Sequence, residues 1–463
     1  MEELAAREPE VLPPAAPGAP STRRPRSPWQ GTDWWLLAGI TLLGAVLRFW
    51  RLGYPHRFVF DETYYAKDAC LYLGHALSFC HAPAPATVAG ALGIGSEQSF
   101  VHPELGKWLI AAGEWLFGYN TWGWRVPSAL FGTGLVVLGF LLGRRLFGRS
   151  GGAAAGFLVA IDFVLIEQSR LAMLDIFLAF FVVLGFLFVV LDHDRVLAPL
   201  PRPGSRLDLR WRIAAGLAFG AACAVKWSGA YALAGATVLM LFWNVSAALR
   251  RSKAQVALEP RVGLRPGAEA VVTVAALAVP AAALYLISYG KWFVQHHFSF
   301  SAFVHLQHAM LSYQLHLNTP NPYQARAWTW PFEIRPIAYW HIAGNLNAHQ
   351  ILLFPNPGVW WAAIPAGLWM LYRAARRRHW PERIVMTGWL VQYLPWLAVS
   401  RPLFFFYMTP VTPFMDLALA GGLLALAASS PFRRRLVVVY LIGMAALLAY
   451  YYPGLVGALH PRL

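Results

Sequence analysis

Two adjacent carboxylates are the first residues of this chain able to do chemistry. Asp61 and Glu62 stand in the stretch Phe60-Asp61-Glu62-Thr63-Tyr64-Tyr65-Ala66-Lys67, just beyond the first membrane-length apolar run. A carboxylate there can accept or return a proton. Taken alone, the pair also fits a solvated helix start, capped by Asp61 and running through Tyr64, Tyr65, Asp68 and Tyr72. Three further stretches gather polar groups: Val101-His102-Pro103-Glu104-Leu105-Gly106-Lys107-Trp108, Gly123-Trp124-Arg125-Val126-Pro127-Ser128, and Gln168-Ser169-Arg170-Leu171-Ala172-Met173-Leu174-Asp175. Lys226 adds a cation where another apolar run ends. Asp175 lies inside an apolar run, where a carboxylate is costly unless paired.

The elements that must position these groups are read from the apolar runs. Of 463 residues, 58% are hydrophobic and only 13% charged, which is the composition of a polytopic membrane protein. The net charge of +16 comes from arginines clustered between apolar runs, a pattern of membrane orientation and not of nucleic-acid binding. Residues 1–30, rich in Pro, Ala and Arg, have no apolar period and read as a disordered basic cytoplasmic tail. Arg23, Arg24 and Arg26 precede the run 34–50, which no cleavage site follows, so it reads as an uncleaved first span.

The remaining spans of the membrane domain, 31–463, are expected near 125–143, 151–167, 172–191, 212–227, 229–247, 269–288, 357–372, 384–399, 404–427 and 436–452. The fold class is therefore an all-α polytopic membrane protein of about eleven transmembrane helices. The run 108–117 is too short to cross and is interrupted by Glu114, so it is expected as an interfacial or re-entrant helix on the outer side. With that helix outside, most of the 38 lysines and arginines crowd into short inner connections, among them Arg144, Arg145, Arg149, Arg195, Arg212, Arg265 and Arg377.

Two long extracytoplasmic loops remain, 51–124 and 289–357, and the active site is expected between them. Half of the 14 histidines sit in the second loop. His305 and His308 have i, i+3 spacing that could bind a metal, but no nearby acid completes a site, and no metal is expected. Trp328, Trp330, Tyr339 and Trp340 read as an interfacial aromatic belt. Cys70 and Cys80 share the first loop and either pair or stay as separate thiols.

In order along the chain, the blocks above, followed by Tyr323-Gln324, Trp328-Thr329-Trp330-Pro331-Phe332-Glu333-Ile334-Arg335-Pro336-Ile337, Gln392-Tyr393-Leu394-Pro395-Trp396 and Phe405-Phe406-Tyr407-Met408-Thr409-Pro410, resemble the bacterial protein O-mannosyltransferases. These are membrane glycosyltransferases of the C-type fold, and the resemblance covers nearly the whole chain after the tail. It implies transfer of mannose from polyprenyl-phosphate-mannose to Ser/Thr hydroxyls of secreted or membrane proteins, met during export among other routes. The reaction would run at the extracytoplasmic face of the plasma membrane, with inversion at the anomeric carbon.

By this resemblance Asp61 is the base, and Glu62 supports it or binds the acceptor. A departing phosphate diester is a stable anion and calls for cations instead of a second acid, for which Arg125, Arg170 and Lys226 are the candidates. Each also fits an arginine or lysine snorkelling to lipid phosphates. Asp175, about a turn and a half beyond Arg170 and expected on the same helix, either orients Arg170 or contacts the sugar, while His102, Lys107, Tyr323 and Arg335 are placed at donor or acceptor. No cofactor is expected. Glu104 stands where the family usually has a second proline, and Asn321-Pro322-Tyr323-Gln324-Ala325 stands for a His-Pro-Tyr with a serine two residues on. Those departures keep open a related enzyme that moves another lipid-linked sugar, such as arabinose or aminoarabinose, or uses a glycolipid acceptor. A transporter fits less well, since its ionisable groups would sit mid-membrane on broken helices with repeat symmetry.

Overall fold

The computed structural model describes residues 28–81, 100–196, 208–255, 265–332, 336–341, 350–377 and 379–457. In chain order the helices are α1 (Gly31–Phe49), α2 (Glu62–Tyr72), α3 (Leu105–Phe117), α4 (Thr121–Phe147), α5 (Arg149–Ile161), α6 (Phe163–Arg170), α7 (Leu174–Val196), α8 (Arg210–Val225), α9 (Gly229–Gln255), α10 (Pro266–Ser288), α11 (Gly290–Gln295), α12 (Phe300–His316), α13 (Pro357–Tyr372), α14 (Trp380–Tyr393), α15 (Thr412–Ser429) and α16 (Pro431–Leu455). One antiparallel strand pair, β1 (Ile337–His341) and β2 (Gln350–Leu353), stands between α12 and α13.

Helices dominate because an apolar run in lipid can satisfy its backbone only internally. Among the described residues seven helices are long and apolar enough to cross a membrane, namely α1, α4, α7, α9, α10, α15 and α16. The pair α5 and α6, bent by 56° at Asp162, makes an eighth if taken as one broken span. The other three predicted runs are also helical, but α8 and α13 have 16 residues and α14 has 14. The 108–117 run is part of the 13-residue α3, whose Trp115, Leu116 and Phe117 are exposed.

Small residues bring α4 and α5 close. Gly148 closes the turn between them at φ +82°, and a Cβ on Gly143 would lie 2.6 Å from the Gly151 carbonyl oxygen. No side chain fits there, so the backbones touch, the usual means of helix association where lipid removes the hydrophobic drive.

The two ends of the bundle differ in chemistry. At one end Asp33 pairs with Arg149 at 2.8 Å and Arg144 at 3.1 Å, Arg145 with Asp194 at 3.2 Å, and Arg212 with Asp192 at 3.1 Å and Glu269 at 2.7 Å. These pairs stitch together the start of α1, the α4–α5 turn, the end of α7 and the starts of α8 and α10, all of which the charge pattern placed on one side. Arg125 is on α4 with Arg144, and at 1.5 Å per residue the two lie about 30 Å apart. The loop carrying Asp61 packs on the Arg125 end, opposite the ionic end, together with α2, α3, the strand pair and the Cys70–Cys80 disulfide.

Candidate active site

Glu62 opens α2 and is fully buried. Its carboxylate accepts from Arg125 Nε and Nη2, both at 2.8 Å, from the Val59 N–H at 2.9 Å and from the Ala172 N–H at 3.0 Å. Arg125 also donates to the carbonyls of Leu52 and Pro55, each at 3.1 Å, and of Arg57 at 3.0 Å. All five guanidinium hydrogens are thereby matched. The pair fixes loop 52–62 to the N-terminal end of α4 and leaves neither member open to a substrate.

The neighbouring residue points elsewhere. Phe60 adopts a left-handed φ of 51°, which costs a non-glycine residue about 1–2 kcal/mol, and its ring packs on Tyr339 at 4.7 Å and on Phe406 at 5.9 Å. Beyond this turn the two acids diverge, and Asp61 remains half-buried beside the Tyr65 hydroxyl, whose oxygen is 3.4 Å from Oδ2. Burial pushes the Asp61 carboxyl up to about 6, Lys226 pulls it back down, and Asp175 adds to the rise. Such a carboxylate is ionised at neutral pH yet basic enough to take a proton.

Lys226, just past the end of α8, donates to Asp175 Oδ2 at 2.7 Å, and both groups are buried. Its Nζ lies 5.5 Å from the Phe406 ring centre and 5.6 Å from that of Tyr407. His102 stands with its ring centre 6.2 Å from that of Tyr65. Burial holds the His102 imidazole well below its ordinary range, and the charges of Lys226, Lys107 and Arg401 add to the effect. Thus Asp61, Tyr65, His102, Asp175 and Lys226 converge on one place.

The other predicted residues fall around it. Arg170 is buried and donates to the carbonyls of Leu47, Arg48, Trp50 and Arg51 at 2.7–3.3 Å, satisfying the orphan end of α1. Asp175 does not lie on one helix with Arg170, because the chain breaks at Leu171–Met173, and its partner is Lys226. Lys107 is buried 3.4 Å from Asp68. Beside it the Glu104 carboxylate accepts from the Tyr72 hydroxyl, and burial pushes it up to about 7. Tyr323 is half-buried, and its backbone N–H donates to Asn321 Oδ1 at 2.9 Å. Arg335 lies outside the described residues. Among the described residues no group of three or more His, Cys, Asp or Glu suited to a metal occurs, at His305 and His308 or elsewhere.

Sequence reasoning missed several neighbours. Tyr339 and Trp330 are buried and so are no part of an interfacial belt, whereas Trp328 is 56% exposed. Tyr339 accepts from Gln168 Nε2 at 2.6 Å, an arrangement held by the strand pair. Tyr407 and Arg401 approach the site from the far end of the chain, with Arg401 Nη1 3.2 Å from the Tyr407 hydroxyl. Gln168 and Tyr407 lie within sequence blocks that carry the resemblance, but residue type alone gives no sign of their tasks. Arg401 had one signal, a lone cation next to the Phe405–Pro410 block.

The chain matches known families and solved structures over most of its length. Residues 38–301 match the family model described as dolichyl-phosphate-mannose-protein mannosyltransferase, and residues 299–458 match that of the C-terminal four TMM region of protein-O-mannosyltransferase. The polyprenol-phosphate-mannose–protein mannosyltransferase of Mycolicibacterium smegmatis is 33% identical, over 92% of this chain and 89% of its own length. That of Mycobacterium tuberculosis is 31% identical, over 98% and 95%. Among solved structures, the S. cerevisiae protein O-mannosyltransferase Pmt1-Pmt2 complex bound to the sugar donor superposes with a TM-score of 0.75 at 14% identity, over 93% of this chain and 91% of that one. From residue 38 to residue 458, then, sequence and fold agree, and the chain belongs to the dolichyl-phosphate-mannose-protein mannosyltransferase family of membrane glycosyltransferases.

Proposed function

We infer that the protein transfers mannose from polyprenyl-phosphate-mannose to Ser/Thr hydroxyls of secreted proteins, at the extracytoplasmic face of the plasma membrane. The observation that carries the reading is the convergence of a half-buried carboxylate raised toward neutrality, Asp61, with a cation, Lys226, in a water-poor setting. The hydroxyl oxygen of the acceptor attacks the anomeric carbon as the bond from that carbon to the phosphate oxygen breaks. Asp61 takes the hydroxyl proton, the electron pair leaves with the phosphate, and Lys226 offsets the charge that gathers there. Attack opposite the leaving group inverts the configuration. Asp175 keeps Lys226 in place, and Glu62 with Arg125 positions Asp61 through the backbone.

The sidedness follows from charge. The arginine-rich end of the bundle is the end that remains in the cytoplasm, and the Cys70–Cys80 disulfide beside α2 supports an oxidising compartment for the opposite end. The test is incubation of purified protein with radiolabelled polyprenyl-phosphate-mannose and a Ser/Thr-Pro-rich peptide. Label should appear in the peptide and survive peptide purification. Label transferred only to lipid, or transfer only from a carrier bearing another sugar, would defeat the reading.

A further inference from the structure

Loop 52–62, which presents Asp61, is gripped from two sides. On one side Glu62 and Arg125 hold it through charge and hydrogen bonds. Its apolar side is closed by rings. Phe58 stacks on Trp124 with ring centres 4.8 Å apart and stands 6.1 Å from Tyr119, while Lys67 Nζ lies 5.4 Å from the Phe58 ring centre. Tyr119 in turn packs on Trp124 at 5.4 Å and on Phe79 at 5.7 Å. The loop thus leans on the α3–α4 connection, the start of α4 and the segment that follows α2.

That segment has no regular structure of its own, since residues 73–81 contain neither helix nor strand. Two ties fix it. The Tyr119 hydroxyl donates to the Cys80 carbonyl at 2.7 Å, and Cys80 is bonded to Cys70 in the last turn of α2. Both cysteines are fully buried, with Leu71, Leu77 and Tyr119 packed around them. Helix α2 is therefore pinned at both ends, by Glu62 and Arg125 at its start and by Cys70 and Cys80 at its finish. Between the pins it carries Tyr65, whose hydroxyl oxygen is 3.4 Å from Asp61 Oδ2. With the far pin released, the helix can tilt about its first turn and carry Tyr65 and the Asp61 turn with it.

We propose that the Cys70–Cys80 disulfide, tied to Tyr119, is a positioning device for the Asp61 loop, and that the protein reaches full activity only after these two thiols have been oxidised at the outer face. This rests on the transferase reading above, in which Asp61 is the base. The reaction that must come first is thiol–disulfide exchange with a disulfide-bearing oxidant of the outer compartment. One cysteine thiolate attacks a sulfur of the oxidant and expels its other sulfur as thiolate; the second cysteine thiolate then attacks the mixed disulfide and expels the remaining oxidant sulfur. The two thiols give up two protons and two electrons, and the oxidant is reduced to a dithiol. Exchange needs access to the sulfurs, so it precedes the closure of Tyr119 over them.

The test uses the full chain in lipid nanodiscs. Cys70→Ala/Cys80→Ala removes the bridge without leaving a lone thiol, and Tyr119→Phe keeps the ring but loses the hydrogen bond. Amide hydrogen exchange over residues 52–66 should quicken by about tenfold in the double variant, as a locally opened segment does. At saturating donor and acceptor its kcat should fall about ten- to a hundredfold, the loss expected for a catalytic group misplaced by about an ångström. The pH inflection of kcat/KM, read with Glu104→Gln in every chain, should move down from about 6 toward the ordinary aspartate range, because a loosened loop admits water to Asp61. Tyr119→Phe should show the same changes at about fivefold, the worth of one hydrogen bond, and it carries the test if the double variant does not fold. Wild-type protein synthesised under reductant should have three free thiols, Cys223 included, and the same low kcat; reductant added after folding should leave one free thiol and full activity. A lower melting temperature with kcat, inflection and exchange unchanged would make the bridge a staple only and overturn the proposal, as would full activity in protein with three free thiols. If exchange responds as expected and the wild type transfers no mannose, the positioning device stands and the sugar assignment falls.

Discussion

Lowering the pH tests the base assignment most directly. With the Asp61 carboxyl pushed up to about 6, the carboxylate that accepts the hydroxyl proton is lost as pH falls through that value. One unit below it only about a tenth of the groups remain ionised, so kcat/KM at pH 5 should be about tenfold under its plateau. An ordinary aspartate would give the same fall two units lower. Glu104, pushed up to about 7 by burial, titrates nearby, and Glu104→Gln removes that confusion. Burial favours the neutral form of the His102 imidazole. Replacing Lys226 by Gln removes a charge that holds the Asp61 value down, so whatever activity remains should have its inflection at higher pH. Initial rates of mannose transfer in Glu104→Gln, measured from pH 4.5 to 8.5 at subsaturating donor, report the inflection. Asp61→Asn should lower the plateau by roughly a hundredfold to ten-thousandfold. A flat profile between pH 5 and 7, or near-normal activity in a folded Asp61→Asn protein, would refute the reasoning.

Glu62→Gln and Arg125→Ala each leave a buried charge without its partner, and should lower stability by about 3–5 kcal/mol, seen as loss of monodisperse protein and a lower melting temperature. Glu62→Gln protein that does fold should keep a pH profile with the wild-type inflection, since Glu62 acts through the backbone. If fixed cations offset the leaving charge, exhaustive chelation should leave transfer intact; loss restored only by a specific divalent ion would contradict that. A cysteine placed at Arg377 should react with an impermeant thiol reagent only from the cytoplasmic side, and one at Thr63 only from the outside. The reverse pattern would invert the topology.

Much of the fold was legible because an apolar run long enough to cross a membrane has few alternatives to a helix. The arginine clusters then ordered the ends, and the ion pairs of Asp33, Asp192, Asp194 and Glu269 gather those same clusters on one face. The breaks were less legible. Asp162 and Leu171–Met173 interrupt one polar-dotted stretch, and nothing in a single sequence says that the helix turns there instead of continuing, so Asp175 was expected one helix with Arg170. The pairing of Asp175 with Lys226 joins residues 51 apart in sequence and depends on how α7 and α8 pack. Nor could residue type separate Asp61 from Glu62. The left-handed turn at Phe60 and the position of Arg125 decide which acid faces the site.

The Glu62–Arg125 lock also bears on how the protein is made. Every donor of Arg125 is matched by loop 52–62, a segment that emerges before α4 does. The loop therefore has no final shape until α4 has been inserted and presents its arginine. Assembly of this loop therefore depends on insertion of the second long span, and a chain with α4 misplaced carries both an unsheltered arginine and an unformed Asp61 turn.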